Sequence, residues 1–398
     1  MSMNHYENSL FFIEYRNELH VAQTWHSRYD NSITREERVV HTSRLRMRTG
    51  ECGMKYLISP EKKQYKANLH CHSTLSDGRL SPQELKTAYK LCGYDILAIT
   101  DHERPHSHQA LSDEQFLMIT GYECYIRPNK EGKSKPYEKE VHLNLFAREP
   151  ENATLICYNE PYCRYLIRDN ALHEITACAG SERVREYTPE YVNEYIRTAK
   201  ENGYIVAYNH PYGSREDEAD SMAYEGCFSL EICNYASQVS TGLEHCGILY
   251  NKMLMAGKRM HCHAGDDNHN RHPFDDPEND SFGAFTMIMP EEFTYNGVIA
   301  AMEAGNMYAS MGPVFKEVSL DGDQLHVECS EVTHIHVYNG GKRPGRVHAR
   351  AGESLTCADF TIDKNARYVR VGICDAQGRW ADTRGYFRDE IGFPPLQE

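Results

Sequence analysis

A chain of 398 residues, 40% hydrophobic and 25% charged, is long enough for two or three domains and ordinary in balance for a globular protein. Its net charge of −15 argues against tight binding to duplex nucleic acid, which needs basic patches to displace counterions, while a small anionic substrate stays open because bound cations invert the local field. No apolar run is long enough to span a bilayer, the first residues carry no secretory pattern, and the 14 cysteines follow no framework spacing, so a reducing cytoplasm and no membrane are expected.

Residues 1–66 read as a small β-rich segment, with SLFFIEY (9–15), LHVAQTW (19–25) and RVVHTSRLRMR (38–48) as short strands. From Ala67 the pattern sharpens. KANLHCH is a strand ending in a loop. In SPQELKTAYKLCG, Ser81 caps the first turn, Pro82 fits the first helical position and Glu84 completes a capping box. Leu85, Ala88, Tyr89 and Cys92 recur at helical spacing, and Gly93 suits the stop. DILAITDH then reads as a buried strand with a polar end, which makes a parallel βαβ unit. The rhythm returns in TPEYVNEYIRTAKENG, capped by Thr188, and in YIVAYNHP, a strand ending at His210. SLEICN, RMHCHAGDD and GAFTMIMP are further strands, and TYNGVIAAMEAG is a helix. Repeated units of this kind predict a barrel or an open parallel sheet with active residues at the carboxyl ends of the strands. Residues 148–187 interrupt it as a rim insertion. After Pro313 the period becomes two, in Leu325, Val327 and Cys329 and again in Val369, Val371 and Ile373, so 313–398 is expected to be a small antiparallel, sandwich-like β domain.

Histidine and aspartate gather where these strands end. His70 and His72, two apart, share one face of a strand. Asp77 follows on a loop that Gly78 lets turn back. His102 ends the next strand after Asp101, His210 ends a third, and Asp267 and His269 form another pair two apart. Imidazole and carboxylate suit borderline divalent metals such as Mn, Fe, Co and Zn. Chance supplies one or two such coincidences, and five segments exceed it.

HCHSTLSDG, ITDHE, GYECY, VHLNLF, YNHP and GDDNH occur in the order of the motifs of the PHP family, named for polymerase and histidinol phosphatase, which residues 67–312 resemble. The resemblance implies a distorted (β/α)7 barrel holding two to three divalent ions, with Mn, Fe and Zn as candidates. Matched motif by motif, the implied ligands are His70, His72, Asp77, His102, Glu123, His142, His210, Asp267 and His269. Glu123 and His142 enter only through the resemblance. Leu75 and Asp266 depart from its usual residues, and an extra acid beside Asp267 is expected to alter metal choice or the preferred substrate charge. The activity implied is hydrolysis of a small phosphomonoester, such as a nucleotide or sugar phosphate, by a hydroxide bridging the metals. Asp267 would take the water proton. Adjacency alone suggests His106 for protonating the leaving oxygen, and Arg104 and Arg271 for holding phosphate. Two other readings stay open: a metallohydrolase of carboxyl esters, carbamates or amides, and a binding scaffold with a vestigial barrel.

Plainer readings cover the remaining polar residues. His261 and His263 support Asp267 or pack, and Glu231 and Asn234 form a wall of the site. Cys71 and Cys262 are small buried hydrophobes. His108, the acidic run REDEAD at 215–220 and the pair His334 and His336 are surface groups.

Overall fold

The computed structural model describes residues 38–40, 53–129, 134–243 and 245–396. The strands expected at 9–15 and 19–25, and residues 41–48 of the third, lie outside the described residues; Arg38–Val40 is a strand.

Local signals set the helices. Ser81 accepts the Glu84 N–H while the Glu84 carboxylate accepts the Ser81 N–H, and the Pro82–Leu91 helix buries Leu85, Ala88 and Tyr89. Thr188 caps Pro189–Glu201 through the Tyr191 N–H, and Val192, Tyr195, Ile196 and Ala199 go inside. Thr294 caps Tyr295–Ala304 in the same way.

Seven strands follow one another across one sheet: Tyr65–Asn68, Ile96–Ile99, Leu117–Ile126, Val141–Ala147, Tyr204–Tyr208, Ser229–Asn234 and His261–Gly265. The pairings are parallel except on both sides of Val141–Ala147, which runs against its neighbours. Of the expected distorted (β/α)7 barrel the pairings show a mixed α/β sheet; among the described residues no strand ladder joins His261–Gly265 to Tyr65–Asn68, and a parallel bridge between Cys71 and Asn268 links the segments that follow them. The antiparallel Phe285–Ile288 strand pairs with Tyr65–Ala67, and its Thr286 hydroxyl bonds both the N–H and the C=O of Ala264. Beyond it, two backbone bonds tie the strand extensions together: Asp267 N–H to His70 O at 2.9 Å and His72 N–H to Asn268 O at 3.1 Å. This seam brings two ligand-bearing segments side by side, although some two hundred residues (~200) separate them in sequence.

The sheet does not stop at the boundary expected near 312. Met307–Ser310 pairs with Trp380–Thr383, and the order continues through Tyr368–Cys374 and His334–Tyr338 to Gly345–His348. A second sheet of Arg38–Val40, Glu353–Thr361, Gln324–Val332, Phe315–Asp321 and Met54–Ile58 completes the C-terminal region. Alternate residues Val318, Leu320, Leu325, Val327, Ile335, Val337, Val369, Val371 and Ile373 fill one core, as the period of two requires. Met54–Ile58, from the expected N-terminal segment, is a strand of this second sheet. Among the described residues no helix is long and apolar enough to cross a membrane.

Candidate metal centre

Glu123 is the hub. Its Oε1 lies 3.3 Å from His70 Nε2, 2.9 Å from His142 Nδ1 and 3.2 Å from His210 Nε2, and its Oε2 lies 3.4 Å from His72 Nε2 and 3.0 Å from His102 Nδ1. Asp267 Oδ1 sits 3.2 Å from His70 Nε2 and 3.0 Å from His72 Nε2. Asp77 Oδ1 reaches His102 at 3.8 Å and His269 at 3.4 Å. All nine residues expected as ligands thus belong to one network. Overlapping groups able to hold an ion are His72, Asp77, His102 and His269; His70, His72, Glu123 and Asp267; and His102, Glu123 and His142.

Ordinary local structure puts them there. The 73–76 turn is held by Asp101, whose carboxylate accepts the Ser73 N–H at 2.8 Å and both the Ser73 and Ser76 hydroxyls. A Cβ on Gly78 would lie 2.2 Å from the His72 carbonyl oxygen, so glycine lets the chain fold back and present Asp77. Gly265 leaves room for His70 Cβ and Glu231 Oε1, which an added Cβ would meet at 2.8 and 2.9 Å. His142 stands at the start of its strand. Antiparallel pairing with Leu117–Ile126 places that start opposite Tyr125, at the same end of the sheet where the parallel strands finish.

Four histidines have Nδ1 tied outside the cluster. His70 is held by Glu231 at 3.0 Å, His72 by Ser76 at 3.3 Å, His210 by Ser214 at 3.0 Å, and His269 by the Asp267 carbonyl at 2.8 Å. Their Nε2 atoms face the carboxylates, the arrangement that orients imidazole ligands. Buried His70 Nε2, His72 Nε2, His102 Nδ1, His142 Nε2 and Glu123 Oε2 make no hydrogen bond. Buried polar atoms are ordinarily satisfied. Donors that crowd within about 3 Å of one another yet bond to nothing fit a set of shared cations.

The charges agree. Burial opposes charge on His72, but the neighbouring Asp267 and Glu123 carboxylates outweigh it and lift its pKa to about 10. His142 is raised to about 10 by Glu123 and Glu140 against the same burial. Burial would raise Glu123 and Asp267, yet their histidine neighbours hold both well below the carboxylate range. The cluster opens at Asp267, Asp77 and His269, which are 14%, 21% and 16% exposed.

The residues expected to surround the metals divide. Arg271 is at the mouth, exposed, with Nη2 3.8 Å from Asp77 Oδ2. Arg104 is buried and its guanidinium is taken by Asp169 at 2.7 Å, Glu174 at 2.9 Å and the Leu75 carbonyl at 3.0 Å. It fastens the 148–187 insertion, which corrects its reading as a phosphate ligand. His106 is exposed, with its backbone bridged to Gly121 and its ring 4.7 Å from His108. None of the possible ion-holding groups among the described residues includes it. His108 is buried rather than at the surface. Asp266 is corrected from a charge beside the metals to a scaffold: it accepts the backbone N–H groups of Phe282, Gly283 and Ala284 and the Tyr89 hydroxyl, and burial raises it to about 7. The acidic run at 215–220 is not a solvated loop throughout, since Glu216 is buried among the hydroxyls of Tyr187, Tyr208 and Tyr224.

Sequence reasoning missed what the insertion contributes. Tyr165 stacks on His102, with ring centroids 6.1 Å apart and planes 11° apart, and its hydroxyl reaches Asp77. Arg168 holds the Thr74 and Ser76 carbonyls, and Arg164 lies over Tyr165 and bonds its hydroxyl at 2.6 Å. Arg185, at the far end of the insertion, is fully buried against the Glu103 carboxylate. The basic spacing of RYLIR was the available signal.

Residues 68–220 match the family model of the PHP domain. Over those residues the chain is similar to a PHP domain. It is 40% identical over 95 residues to a 5′-3′ exoribonuclease of Haemophilus influenzae, a match spanning 23% of this chain and 33% of that protein. Among solved structures it is similar to a two-domain protein of Bacteroides vulgatus containing a predicted PHP-like metal-dependent phosphoesterase, at 14% identity and TM-score 0.37 over 85% of this chain and 91% of that one. It is also similar to an amidohydrolase of Chromobacterium violaceum with bound sulfate, at 14% identity and TM-score 0.32 over 51% of this chain and 87% of that one.

Proposed function

We propose that the PHP domain is a metal-dependent phosphoesterase acting on a small phosphomonoester. The observation that carries this reading is the convergence of nine imidazole and carboxylate residues, five of which have a buried donor atom without a hydrogen bond. His70, His72, Asp77, His102, Glu123, His142, His210, Asp267 and His269 would hold two to three divalent ions, with Mn, Fe and Zn as candidates. Such ions lower the pKa of water toward about 7 and offset charge on phosphoryl oxygens.

The chain's own groups do the rest. Glu231, Ser76 and Ser214 fix the imidazoles in the orientation that turns Nε2 inward. Asp267 Oδ2, which accepts the Asn234 amide at 3.1 Å, belongs to a carboxylate at the open side of the cluster and would receive a proton from attacking water. Arg271 supplies a cation at the mouth for a phosphoryl oxygen, and Tyr165 forms a wall above His102 that shields that side from bulk water.

A carbonyl ester, carbamate or amide could react at the same site, and the name of the Haemophilus relative puts a short oligoribonucleotide among the compounds to try. The test is a panel of phosphomonoesters, oligoribonucleotides and carboxyl esters after reconstitution with manganese. Turnover of phosphomonoesters supports the proposal. Turnover of carboxyl esters alone sinks it in favour of carbonyl hydrolysis, and bound metal with no turnover of any compound would leave the site a vestige.

A further inference from the structure

A second convergence of histidines lies in the C-terminal region. Along His334–Tyr338, His334 and His336 stand on the face opposite the buried Ile335 and Val337. Antiparallel pairing with Gly345–His348 sets His348 directly across from His334. His336 Nε2 and His348 Nε2 are 2.9 Å apart, and the His334 and His348 ring centroids are separated by 4.4 Å. Thr333 Oγ1 lies 2.8 Å from His334 Nδ1, which leaves Nε2 as the donor atom of that ring. Trp380, 5.6 Å from His336, backs the cluster, and His348 opens it to solvent.

We propose that His334, His336 and His348 bind one borderline divalent cation, zinc being the probe of choice, at a site separate from the barrel cluster. The three rings come from two paired strands, so the backbone holds them close together before any ion arrives. Tetrahedral zinc with Zn–N bonds of 2.0–2.1 Å needs nitrogens roughly 3.3 Å apart, so the His336–His348 pair has to open by about 0.4 Å and the His334 ring has to turn toward it, because the three rings do not bring one nitrogen each within 4.8 Å of the others. Asp382, two residues beyond Trp380, is held by Arg370 and His245. A site built of imidazole alone selects zinc, nickel or copper over magnesium and calcium.

The test is equilibrium dialysis of the full chain against micromolar zinc, with bound metal counted by mass spectrometry. The doubly substituted His336→Gln/His348→Gln protein should bind one zinc fewer per chain than the unsubstituted protein, with hydrolytic turnover unchanged. Magnesium retention should be the same in both. Equal zinc content would overturn the proposal and leave the three rings a hydrogen-bonded stack. If the double variant melts early, the single His348→Gln change, exposed on the edge strand, carries the same comparison.

Discussion

The Glu231 carboxylate lies 3.0 Å from His70 Nδ1, and both side chains are completely buried. The same carboxylate accepts the His210 backbone N–H at 3.2 Å and the Asn234 amide at 3.0 Å, so one acid orients two ligand segments and a wall residue. Partners of this kind are worth about 10–100-fold in metal affinity or activity. Glu231→Ala is expected to lower manganese affinity within that range, measured by metal titration of the chelator-stripped protein. Unchanged affinity would reduce Glu231 to a packing residue.

His70→Ala and Asp267→Ala each remove a donor that touches the Glu123 hub or both His70 and His72. Both variants should lose hydrolysis of an aryl phosphate to background and bind less metal, while their far-UV circular dichroism stays that of the parent. Full turnover in both would refute their place at the site.

Arg271 and Arg104 are expected to separate. Arg271→Ala takes a cation from beside Asp77 and should raise KM for phosphorylated substrates with little effect on the melting temperature. Arg104→Ala frees the insertion instead. It should expose 148–187 to limited proteolysis and cost about 1–3 kcal/mol, since charged hydrogen bonds to Asp169 and Glu174 are lost. A raised KM in the Arg104 variant with unchanged protease resistance would restore it to substrate binding.

Glu103 and Arg185 form an ion pair with no exposed side-chain surface, and Arg185 also donates to the Tyr125 and Cys157 carbonyls. Removing only the cation leaves an uncompensated buried carboxylate. Arg185→Met should cost about 3–5 kcal/mol in urea unfolding, and adding Glu103→Gln should recover part of it. No recovery in the double variant would mean that the carbonyl contacts, not the charge, matter.

Burial raises Glu216 from 4.5 to about 7, against the hydroxyls of Tyr208, Tyr224 and Tyr187 that favour its charge. Between these two values the folded protein holds a proton that the unfolded chain has released. Stability from this group is therefore fully present below about 4.5 and declines as pH rises through 7, by on the order of 3 kcal/mol. Glu216→Gln does not titrate. Its melting temperature should rise relative to that of the unsubstituted protein between pH 5 and pH 8, and a constant difference across that range would show that Glu216 is not held protonated.

Local chemistry in the sequence determined the helices at Pro82–Leu91 and Pro189–Glu201, because caps and helical spacing act within a few residues. It also determined the ligand pairs His70/His72 and Asp267/His269, because strand alternation puts residues two apart on one face. Glu123 and His142 were beyond that reasoning and came through resemblance. Nothing short-range announces that the start of an antiparallel strand will meet the ends of its parallel neighbours, as Tyr125 and His142 do. Asp101, Glu231 and Tyr165 act through partners far along the chain, and Arg104 was misassigned because adjacency to His102 does not say which way a long side chain turns. The sequence by itself determined that His70, His72, His102, His210, Asp267 and His269 stand where short elements end. Only the tertiary structure decided which donors share an oxygen of Glu123, which acids are spent as scaffold, and that His348 joins His334 and His336, because strand order and direction depend on contacts across the whole chain.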